Sequence, residues 1–561
     1  MRYRIGLSAL IIAFTFAGNL RAQIEVFTDR TLFAAGENIL FSAFVRKTGL
    51  QAEDSWSKVL YLDLVRPDGT SVSRGKFPVS GITAEGYLPV PDQVLTGNYY
   101  LVAYTRWMQN FSPIHYEYKL IKIVNPFIAE MEPSCLQGTG DLPFSRRTQL
   151  DYIDEVISCK PLHSHYRWEE QVQLSFQISK QHSPASSLIV LAGRPEVMDS
   201  LLYTSVIPDS IYFQSPDTIQ YPPDLMGLSL SGKVLSRDTG EPVNNTLVEL
   251  SMLGQDQQFH VRPTENDGSF VLGLDSITGS REMFISARDM EERDLEIRVD
   301  NDYAISNFAF SPRPFTLTET ELEEAQRIMI NSQLGQRFQE SSQGSADLVN
   351  PVESSFYGLP SDRILIDDYV QLPTLKEVLI ELIPTVLPVL HNKKPALQFS
   401  GNIASRDFMS FYEPLLLLDN VPVYKLENLL GMNPQKLHSI EVVNELYILG
   451  NTIYGGILSI TSKNGDMAGI DLPDNSFFFD FAGFLPQPLL ESFTDTNSGE
   501  ENRIPDLRNT LFWETGLELN PGQTSQVTLT APGRPGRYLV LIRGLTAEGR
   551  ILQGRCSFMV E

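Results

Sequence analysis

The chain has 561 residues, of which 69 are acidic and 44 are Lys or Arg, so its formal net charge is −25. This length exceeds what a single hydrophobic core organises, and several domains are therefore expected. The acidic balance, with no clustered basic segment, argues against nucleic acid as a partner, because phosphate binding needs a basic face. The hydrophobic fraction of 42% and the aromatic fraction of 10% are those of folded chains.

Residues 1–22 have the pattern of a secretory signal peptide. Arg2 and Arg4 precede the apolar stretch from Ile5 to Phe16, and Leu20-Arg21-Ala22 precede the expected cleavage before Gln23. The apolar run breaks at Gly18-Asn19, short of the ~20 residues that a membrane-spanning helix needs. We therefore predict an exported protein of the periplasm or the outer membrane, with no transmembrane segment in the mature chain.

The three cysteines are compatible with two arrangements. Export permits a disulfide between Cys135 and Cys159 that closes a short loop and leaves Cys556 over. The alternative is three unpaired, partly buried thiols. None of the three has the spacing of a metal ligand.

From residue 23 to about residue 125, short apolar strands alternate with turn residues. The stretch 59–64 (VLYLDL) leads into the turn Pro67-Asp68-Gly69, and 99–104 (YYLVAY) follows Gly97-Asn98. Strands of this length and spacing predict a β-sandwich.

Two parts of the chain resemble a known module. Residues 28–37 (TDRTLFAAGE), 96–100 (TGNYY) and 103–110 (AYTRWMQN) resemble the macroglobulin-type sandwich, the second domain of alpha-2-macroglobulins, as carried by exported proteins of Bacteroidetes-type bacteria. The segment 535–549 is similar to the same module, which predicts a macroglobulin-like sandwich over 471–561. The resemblance implies a binding role.

The middle of the chain predicts two more sandwiches. Alternation at 172–178 (VQLSFQI) predicts one over 126–222. Over 223–300, the strand 228–234 and the Asp267-Gly268 turn resemble the carboxypeptidase regulatory-like domain, an accessory module without peptidase activity.

A connector is expected over 301–370. Thr318 and Glu321 form a capping box, and apolar residues from Leu322 to Met329 follow at helical spacing, so one helix is predicted here. The stretch 341–345 (SSQGS) ends this helix as a flexible segment.

Residues 371–470 resemble the plug domain of TonB-dependent receptors. The resemblance lies in a short helix at 375–381, the strand and turn 414–423 (PLLLLDNVPV) and the strand 454–463 (YGGILSITSK). A 22-stranded receptor barrel needs roughly 220 residues in strands. Only 91 residues, 471–561, follow, so we expect a plug-like domain without a barrel of its own.

Motifs for catalysis are missing from the sequence. Covalent protease trapping needs a thioester from a Gly-Cys-Gly-Glu-Gln type motif, and none of the cysteines stands in one. His163 and His165 would share one face of a strand as a metal pair, but no third ligand follows, which favours solvated loop histidines. No nucleophile elbow, P-loop or His-Glu-x-x-His motif occurs. We predict no enzyme, no cofactor, and no catalytic, cofactor-binding or metal-binding residue.

Several further residues have a functional interpretation that we set below a structural one. Adjacent carboxylates point apart on a helix or strand, and tryptophans beside strands pack into cores or are half-buried. An isolated Asp-Gly turn lacks the spaced carboxylates of a calcium site. A Gly pair before a strand marks a turn or bulge. The residues concerned are Asp367-Asp368, Glu291-Glu292, Trp107, Trp513, Asn266-Asp267-Gly268 and Gly455-Gly456.

The sequence as a whole predicts a mainly β, multidomain string of β-sandwiches with one α+β plug-like domain and a short helical connector. The function it favours is non-enzymatic binding or scaffolding in the cell envelope, at the outer membrane and through protein partners. Two alternatives stay open. One is an accessory subunit of a TonB-linked uptake system, and the other is a non-covalent macroglobulin-like protease-binding protein with an exposed loop at 341–355.

Overall fold

The structure is a computed structural model, and its secondary structure is mainly β, as the sequence predicted. Of the predicted signal peptide, residues 1–21 lie outside the described part of the chain. No helix among the described residues combines the length and the apolar character that crossing a bilayer requires. The structure describes residues 22–47, 57–137, 153–180, 184–198, 206–213, 219–254, 257–289, 293–304, 307–342, 355–391, 394–401, 406–470, 472, 474–487, 506–546 and 551–561.

The first half of the chain is built from short strands with one long helix at its end. Its elements are β1 (Ala22–Thr28), β2 (Leu32–Ala34), β3 (Asn38–Lys47), β4 (Val59–Val65), β5 (Ser71–Pro78), β6 (Thr83–Pro89), β7 (Gly97–Tyr104), β8 (Glu117–Val124), α1 (Pro133–Gln137), β9 (Ile153–Glu155), β10 (Ile157–Pro161), β11 (His165–Tyr166), β12 (Gln171–Ile178), β13 (Ala185–Gly193), β14 (Ser210–Ile211), β15 (Ser229–Ser236), β16 (Leu247–Met252), β17 (Gln258–Pro263), β18 (Ser269–Gly273), β19 (Ser280–Arg288), β20 (Leu295–Val299), β21 (Phe308–Ala309) and α2 (Glu319–Ser342).

The second half mixes short helices with strands and ends in four longer strands. Its elements are β22 (Asp362–Leu365), α3 (Leu375–Leu382), β23 (Val386–His391), β24 (Lys394–Phe399), α4 (Arg406–Met409), β25 (Leu415–Leu418), β26 (Val421–Pro422), α5 (Leu426–Leu430), β27 (Leu437–Val443), β28 (Tyr447–Leu449), β29 (Thr452–Tyr454), β30 (Ile457–Ser462), β31 (Ser476–Ala482), β32 (Thr510–Leu519), β33 (Thr524–Thr530), β34 (Gly536–Thr546) and β35 (Ile551–Val560).

The described residues divide into two units, each assembled from separate stretches of chain. Unit 1 takes the described residues up to 227, those of 303–346 and those of 484–561. Unit 2 takes those of 228–302 and 347–483. The sequence-based domain order, one module after another, therefore does not describe how the chain is packed.

Residues 22–47 and 57–125 of unit 1 form a two-sheet sandwich within the range 23–125, for which the sequence predicts one. Its sheets have the strand orders β1-β3-β6 and β2-β8-β7-β4-β5. Every side chain of β4 and β7 is buried. A strand in a sandwich with one solvated face would alternate buried and exposed side chains, so both faces of the five-stranded sheet are covered.

The outer face is covered by residues that the sequence analysis assigned to the connector 301–370. Phe310 stacks on Tyr100 with ring centroids 3.5 Å apart. The Ala304 amide donates to the Tyr104 hydroxyl at 3.0 Å. Residues 303–304 and 307–317 are therefore a packed part of the first sandwich and not a linker, because aromatic side chains on the sheet need an apolar cover. The predicted helix is confirmed as α2, and its capping box forms as predicted.

The second sandwich corrects the predicted division most strongly. Its sheets have the orders β10-β12-β33 and β11-β35-β34-β13-β32, with β9 also paired to β35. Strand β13 lies between β32 and β34. Strands β10–β13 and β32–β35, which the sequence analysis divided between two sandwiches (126–222 and 471–561), thus share one core, because each set supplies strands that the other needs for a complete sheet.

The strand pairing of this sandwich determines which cysteines are bonded, and both predicted arrangements are wrong. A disulfide joins Cys159 on β10 to Cys556 on β35, across a sequence separation of 397 residues. Cys135 is free and buried. The strand pairing brings Cys159 close to the distant Cys556, whereas Cys135 lies beside the first sandwich, where its sulfur accepts a hydrogen bond from the Asn98 amide.

A buried polar junction joins the two sandwiches of unit 1. Arg30, which is 5% exposed, donates to the Thr510 hydroxyl at 3.0 Å and to Glu37 at 3.1 Å. Asp29, which is 1% exposed, lies 3.2 Å from the Arg30 guanidinium and accepts from the Leu40 amide at 3.1 Å. Burial raises the pKa of Asp29 despite these partners. The motif at 28–37 therefore supplies a polar contact between the two sandwiches, in addition to the apolar cluster that Phe27 and Phe44 form with residues of the second sandwich.

Unit 2 begins with two antiparallel sheets of orders β18-β15-β20 and β17-β16-β19-β31. Strand β31 belongs to the segment predicted as the C-terminal sandwich, but it pairs with β19 here. Phe478 packs against Phe284 with ring centroids 5.0 Å apart. The apolar side chains of β31 explain why this strand completes the sheet of unit 2.

The remainder of unit 2 is an α+β module around the sheet β22-β27-β30-β25-β26. The predicted helix at 375–381 is observed as α3. Asp419 and Asn420 both have positive φ, 51° and 65°, and make the tight turn between β25 and β26. Helices α3 and α5 pack their apolar side chains on one core with this sheet, as the buried leucines and valines of the sequence indicate.

We expect peptide mapping without reduction to recover the Cys159 peptide linked to the Cys556 peptide. Cys556→Ser should lower the free energy of unfolding of unit 1 by about 2–4 kcal/mol, because the disulfide closes a very long loop. Cys135→Ser is the matched control and should leave the linked peptide unchanged. Recovery of a peptide containing Cys135 linked to Cys159 would contradict the structure.

Arg30→Met should destabilise unit 1 by about 3–5 kcal/mol, because it leaves the buried Asp29 carboxyl without its cation. Differential scanning calorimetry, with hydrogen exchange of the β3 amides, measures the loss. Arg298→Met is the control, since Arg298 is exposed and pairs only with exposed Glu296, and it should change nothing measurable. An unfolding transition unchanged by Arg30→Met would show that the junction does not stabilise the unit.

Candidate functional site

The candidate site is an open cleft of about 410 Å³ in unit 1, between helix α2 and the second sandwich. This size lies within the roughly 300–1,000 Å³ of ligand pockets. Three separate stretches of chain supply its walls: the region from Trp168 to Val197, helix α2, and the strands and loops after 506. It is lined by Trp168, Gly193, Arg194, Val197, Glu324, Arg327, Ile328, Asn331, Asp506, Arg508, Asn509, Leu511, Pro532, Gly533, Arg534, Pro535 and Tyr538.

Helix α2 has one face on the protein and one on the cleft. Its buried side chains Ala325 and Ile328 pack in an apolar cluster with residues of β2 and β8. Lys122 of β8 fixes the start of the helix by donating to Glu321 at 2.7 Å. With the helix held in this way, Arg327 and Asn331 reach the cleft.

Two carboxylates and their arginine partners form fixed parts of the cleft wall. Arg534 donates to Glu324 at 2.7 Å, and Arg194 lies 3.6 Å from the same carboxylate. Arg508 donates to Asp506 through two nitrogens, each at 2.8 Å. Burial alone would raise the pKa of Asp506, but the bonds from Arg508 outweigh it and hold this pKa below its usual value. Such two-point arginine pairs restrict the orientation of both side chains.

Glycines make room for the aromatic and cationic groups of the wall. A Cβ at Gly533 would lie 3.2 Å from the indole nitrogen of Trp168. Gly536 has φ +133°, and a Cβ there would lie 2.3 Å from Arg194 Nη1. Arg194 in turn lies over the Tyr538 ring, 5.4 Å from its centroid. Any side chain at either position would displace a group that lines the cleft.

Two groups in the cleft are exposed and available to a ligand. Arg327 is exposed and has no acidic partner among the residues that the structure describes. Trp168 is 62% exposed although it is a large aromatic side chain. A guanidinium pairs with anions and an indole face packs on apolar or aromatic groups. The arrangement can bind a ligand, and none of its lining residues is a thiol, hydroxyl or imidazole group apart from the Tyr538 phenol.

A second cluster of ionisable groups lies in unit 2, around a buried carboxyl. Glu249, which is 1% exposed, accepts a hydrogen bond from the Tyr424 hydroxyl. Tyr424 also bonds Ser286 at 2.8 Å, and Arg288 donates to Glu413 at 2.9 Å. Burial raises the pKa of Glu249 more than the neighbouring Arg288 lowers it. This cluster joins β16 and β19 to the α+β module, and we assign it a structural role.

The structure does not gather the histidines of the sequence into a site. His163 and His165 are both exposed, and His165 lies 3.7 Å from the Glu561 carboxylate. The His163 ring packs edge-on against Tyr166, with centroids 5.8 Å apart. In the described part of the chain, no group of three or more His, Cys, Asp or Glu residues could hold a metal ion.

The other residues singled out in the sequence have local roles. Asp367 pairs with Lys463 at 2.6 Å, and Asp267 accepts from the Ser269 hydroxyl and amide. Trp107 and Trp513 are half-buried, as predicted. Glu291 and Glu292 lie outside the described residues. Gly455 and Gly456 precede β30, where a Cβ at 455 would lie 2.3 Å from the Tyr412 carbonyl oxygen and where Gly456 has φ +118°.

Sequence reasoning missed the cleft. Its exposed groups, Trp168 and Arg327, are 159 positions apart, and their neighbours are single arginines with no motif around them. A local signal was present only at the Pro-Gly-Arg-Pro-Gly run at 532–536, in which Gly536 has positive φ and Gly533 lies close to Trp168.

No family model and no curated protein matches the chain. Among solved structures it is similar to trypsin-activated alpha-2-macroglobulin from Escherichia coli, at 9% identity and TM-score 0.24, over 96% of this chain and 42% of that chain. It is also similar to Salmonella alpha-2-macroglobulin reacted with methylamine, at 10% identity and TM-score 0.23, over 97% and 40%. Dimeric latent PorU from Porphyromonas gingivalis aligns at 10% identity and TM-score 0.16, over 50% and 33%.

The chain spans about two fifths of the length of the alpha-2-macroglobulins that it matches. With TM-scores this low, the alignments carry no argument about function. The contacts of the chain itself must supply that argument.

Glu249→Gln should remove a pH dependence from unit 2. Because burial raises the pKa of Glu249, its contribution to stability is fully present below its ordinary pKa of 4.5 and is lost as pH rises through the folded-state value. Hydrogen exchange of the β16 amides between pH 4 and about pH 8 measures this loss. The neighbouring exposed Glu282 provides the control variant Glu282→Gln. An unchanged pH dependence in Glu249→Gln would show that this carboxyl does not titrate differently on folding.

Proposed function

We propose that the chain is a non-enzymatic binding or scaffold protein, exported to the cell envelope and held at the outer membrane through protein partners. The cleft between α2 and the second sandwich is the single observation that carries this proposal. The cleft contains the Arg327 guanidinium, which has no acidic partner among the described residues, and the exposed indole of Trp168. Ion pairs hold the side chains of its walls in place. Arg and Trp are among the side chains that carry most of the binding energy in protein interfaces.

Export and location rest on the sequence of residues 1–22. The positive start, the apolar stretch and the expected cleavage after Ala22 support a signal peptide. The disulfide between Cys159 and Cys556 supports an oxidising compartment, since such bonds persist outside the cytosol. We propose that the protein lies in the periplasm, or at the periplasmic or the outer face of the outer membrane.

The modules of unit 2 are proposed to dock on other envelope proteins. The first two sheets, which β31 completes, are proposed as a carboxypeptidase regulatory-like domain, and the α+β module as a plug-like domain. The order of helix α3, strand β25, the turn at Asp419-Asn420, and strands β27 and β30 supports the second assignment. This order also favours the alternative function, an accessory subunit of a TonB-linked uptake system.

A non-covalent protease-binding role is the weaker alternative. The exposed loop proposed for it, 341–355, lies outside the described residues except at Ser341, Ser342 and Ser355. No contact in the described part of the chain favours a protease over another protein. We therefore keep the broader proposal of protein binding.

A mild-detergent pull-down of the tagged protein from its own envelope tests the proposal. We expect mass spectrometry to identify at least one envelope protein that is recovered stoichiometrically, and a large outer-membrane protein would select the accessory-subunit function. An untagged strain is the control for background, and surface proteolysis of intact cells shows which face is exposed. Recovery of the tagged chain alone would overturn the proposed scaffold role.

A further inference from the structure

We propose that the cleft between helix α2 and the second sandwich binds an acidic peptide segment, in which a carboxylate lies next to an aromatic or large apolar side chain. The inference rests on the proposed function only in that the ligand is part of a protein. It goes further by naming the chemistry that the cleft selects.

The charges of the cleft leave one cationic position open. Arg508 is taken up by Asp506, and Arg534 and Arg194 by Glu324. Arg194 also lies 3.6 Å from Glu196. The guanidinium of Arg327 remains, and it is the group that a carboxylate of the ligand would meet. A guanidinium binds a carboxylate through two parallel hydrogen bonds, which gives direction as well as attraction.

The aromatic side of the cleft supplies the second contact. Trp168 lies in the turn between β11 and β12, with its indole nitrogen beside Gly533 and most of its surface exposed. Tyr538 forms part of the wall, where Arg194 covers its ring. Burying the indole against an aromatic side chain of a ligand would remove the exposed apolar area that the fold leaves at Trp168.

The cleft favours a carboxylate over a phosphate. A phosphate group is usually held by several unpaired donors or an Arg cluster, whereas three of the four arginines here already pair with acids. The carboxylates of Glu324 and Asp506 would also repel a doubly charged group more strongly than a singly charged one. One guanidinium without a described acidic partner, in the same cleft as an exposed indole, therefore suits an Asp or Glu side chain, or a chain terminus, next to an aromatic residue.

The net charge of the whole chain makes the cleft selective. At −25, the protein repels acidic segments at long range. Salt screens this repulsion beyond about 8 Å at physiological ionic strength, while contacts inside the cleft are screened less. An acidic segment would consequently find few other places on this protein to bind.

Fluorescence anisotropy with purified full-length chain and labelled synthetic peptides tests the proposal. The probes are the peptides EYEYE, QYQYQ and EAEAE, which separate the carboxylate from the aromatic contribution. We expect EYEYE to bind, and QYQYQ and EAEAE to bind at least about tenfold more weakly. A labelled phosphotyrosine peptide is a further arm and should bind no better than EYEYE.

Variants then place the binding in the cleft. Arg327→Gln and Trp168→Ala should each weaken EYEYE binding at least about tenfold, and Arg327→Lys should recover part of the loss because it restores the charge. Arg555→Gln is the matched control: it removes the same charge from an exposed residue of the same unit outside the cleft. Circular dichroism verifies that each variant is folded.

Three results would overturn the inference: no binding of EYEYE, equal binding of QYQYQ, or equal affinity of wild type, Arg327→Gln and Trp168→Ala. These results do not depend on the envelope pull-down. A partner recovered from the envelope together with failure of EYEYE would leave the scaffold role standing and remove only the assigned ligand. If EYEYE binds but the pull-down recovers no partner, the assigned ligand stands and the scaffold role is overturned.

Discussion

The pairing of strand β13 with β32 on one side and β34 on the other is the constraint on which unit 1 depends. Strands β13 and β32 are more than 300 residues apart in sequence, so closing this sheet requires ordering a very long loop. The entropic cost of closure grows only slowly with loop length, and the buried core of both sheets offsets it. The disulfide between Cys159 and Cys556 then holds the same two segments together covalently. All of unit 2 lies in the loop that this pairing closes.

The cleft is a direct consequence of this pairing. Its wall contains Trp168 and Arg194 from before unit 2, and the arginines and glycines after residue 506 from behind it. Helix α2 adds the third wall and is held in place by the first sandwich. The buried junction of Asp29, Arg30 and Thr510 fixes the first sandwich to the second, and the Asn331 amide donates to Asn509 at 2.7 Å beside it. No wall of the cleft would be positioned without the others.

The sequence predicted local structure well and long-range pairing poorly. Helix α2, its capping box at Thr318 and Glu321, and the turn at Asp419-Asn420 depend on neighbours within a few residues, and such signals can be found in one chain. The partners of β13 are set by complementary faces of strands that are far apart in sequence. The hydrophobic periodicity of one segment does not identify these partners. The cysteine pairing and the cleft both follow from that pairing, so neither could be predicted. The motif at 28–37 was recognised for its resemblance, but its role as a junction needed the position of Thr510.

The pKa shifts of the carboxyls differ between the buried contacts that hold the fold together and the candidate site. Asp29, Asp63 and Glu249 are buried at places where separate stretches of chain meet, and each accepts a hydrogen bond from a hydroxyl: that of Thr510, Tyr104 and Tyr424. Burial raises the pKa of all three carboxyls. The contribution of each of these carboxyls to stability therefore falls as pH rises.

In the cleft the pKa shift has the opposite direction, because Arg508 keeps the pKa of Asp506 below its usual value. A carboxylate that stays charged beside an open surface costs little there and preserves the orientation of the arginines, which is what a preformed binding site requires. Among the described residues, burial thus raises the pKa of the carboxyls at these contacts, whereas an ion pair lowers the pKa of the carboxyl in the cleft.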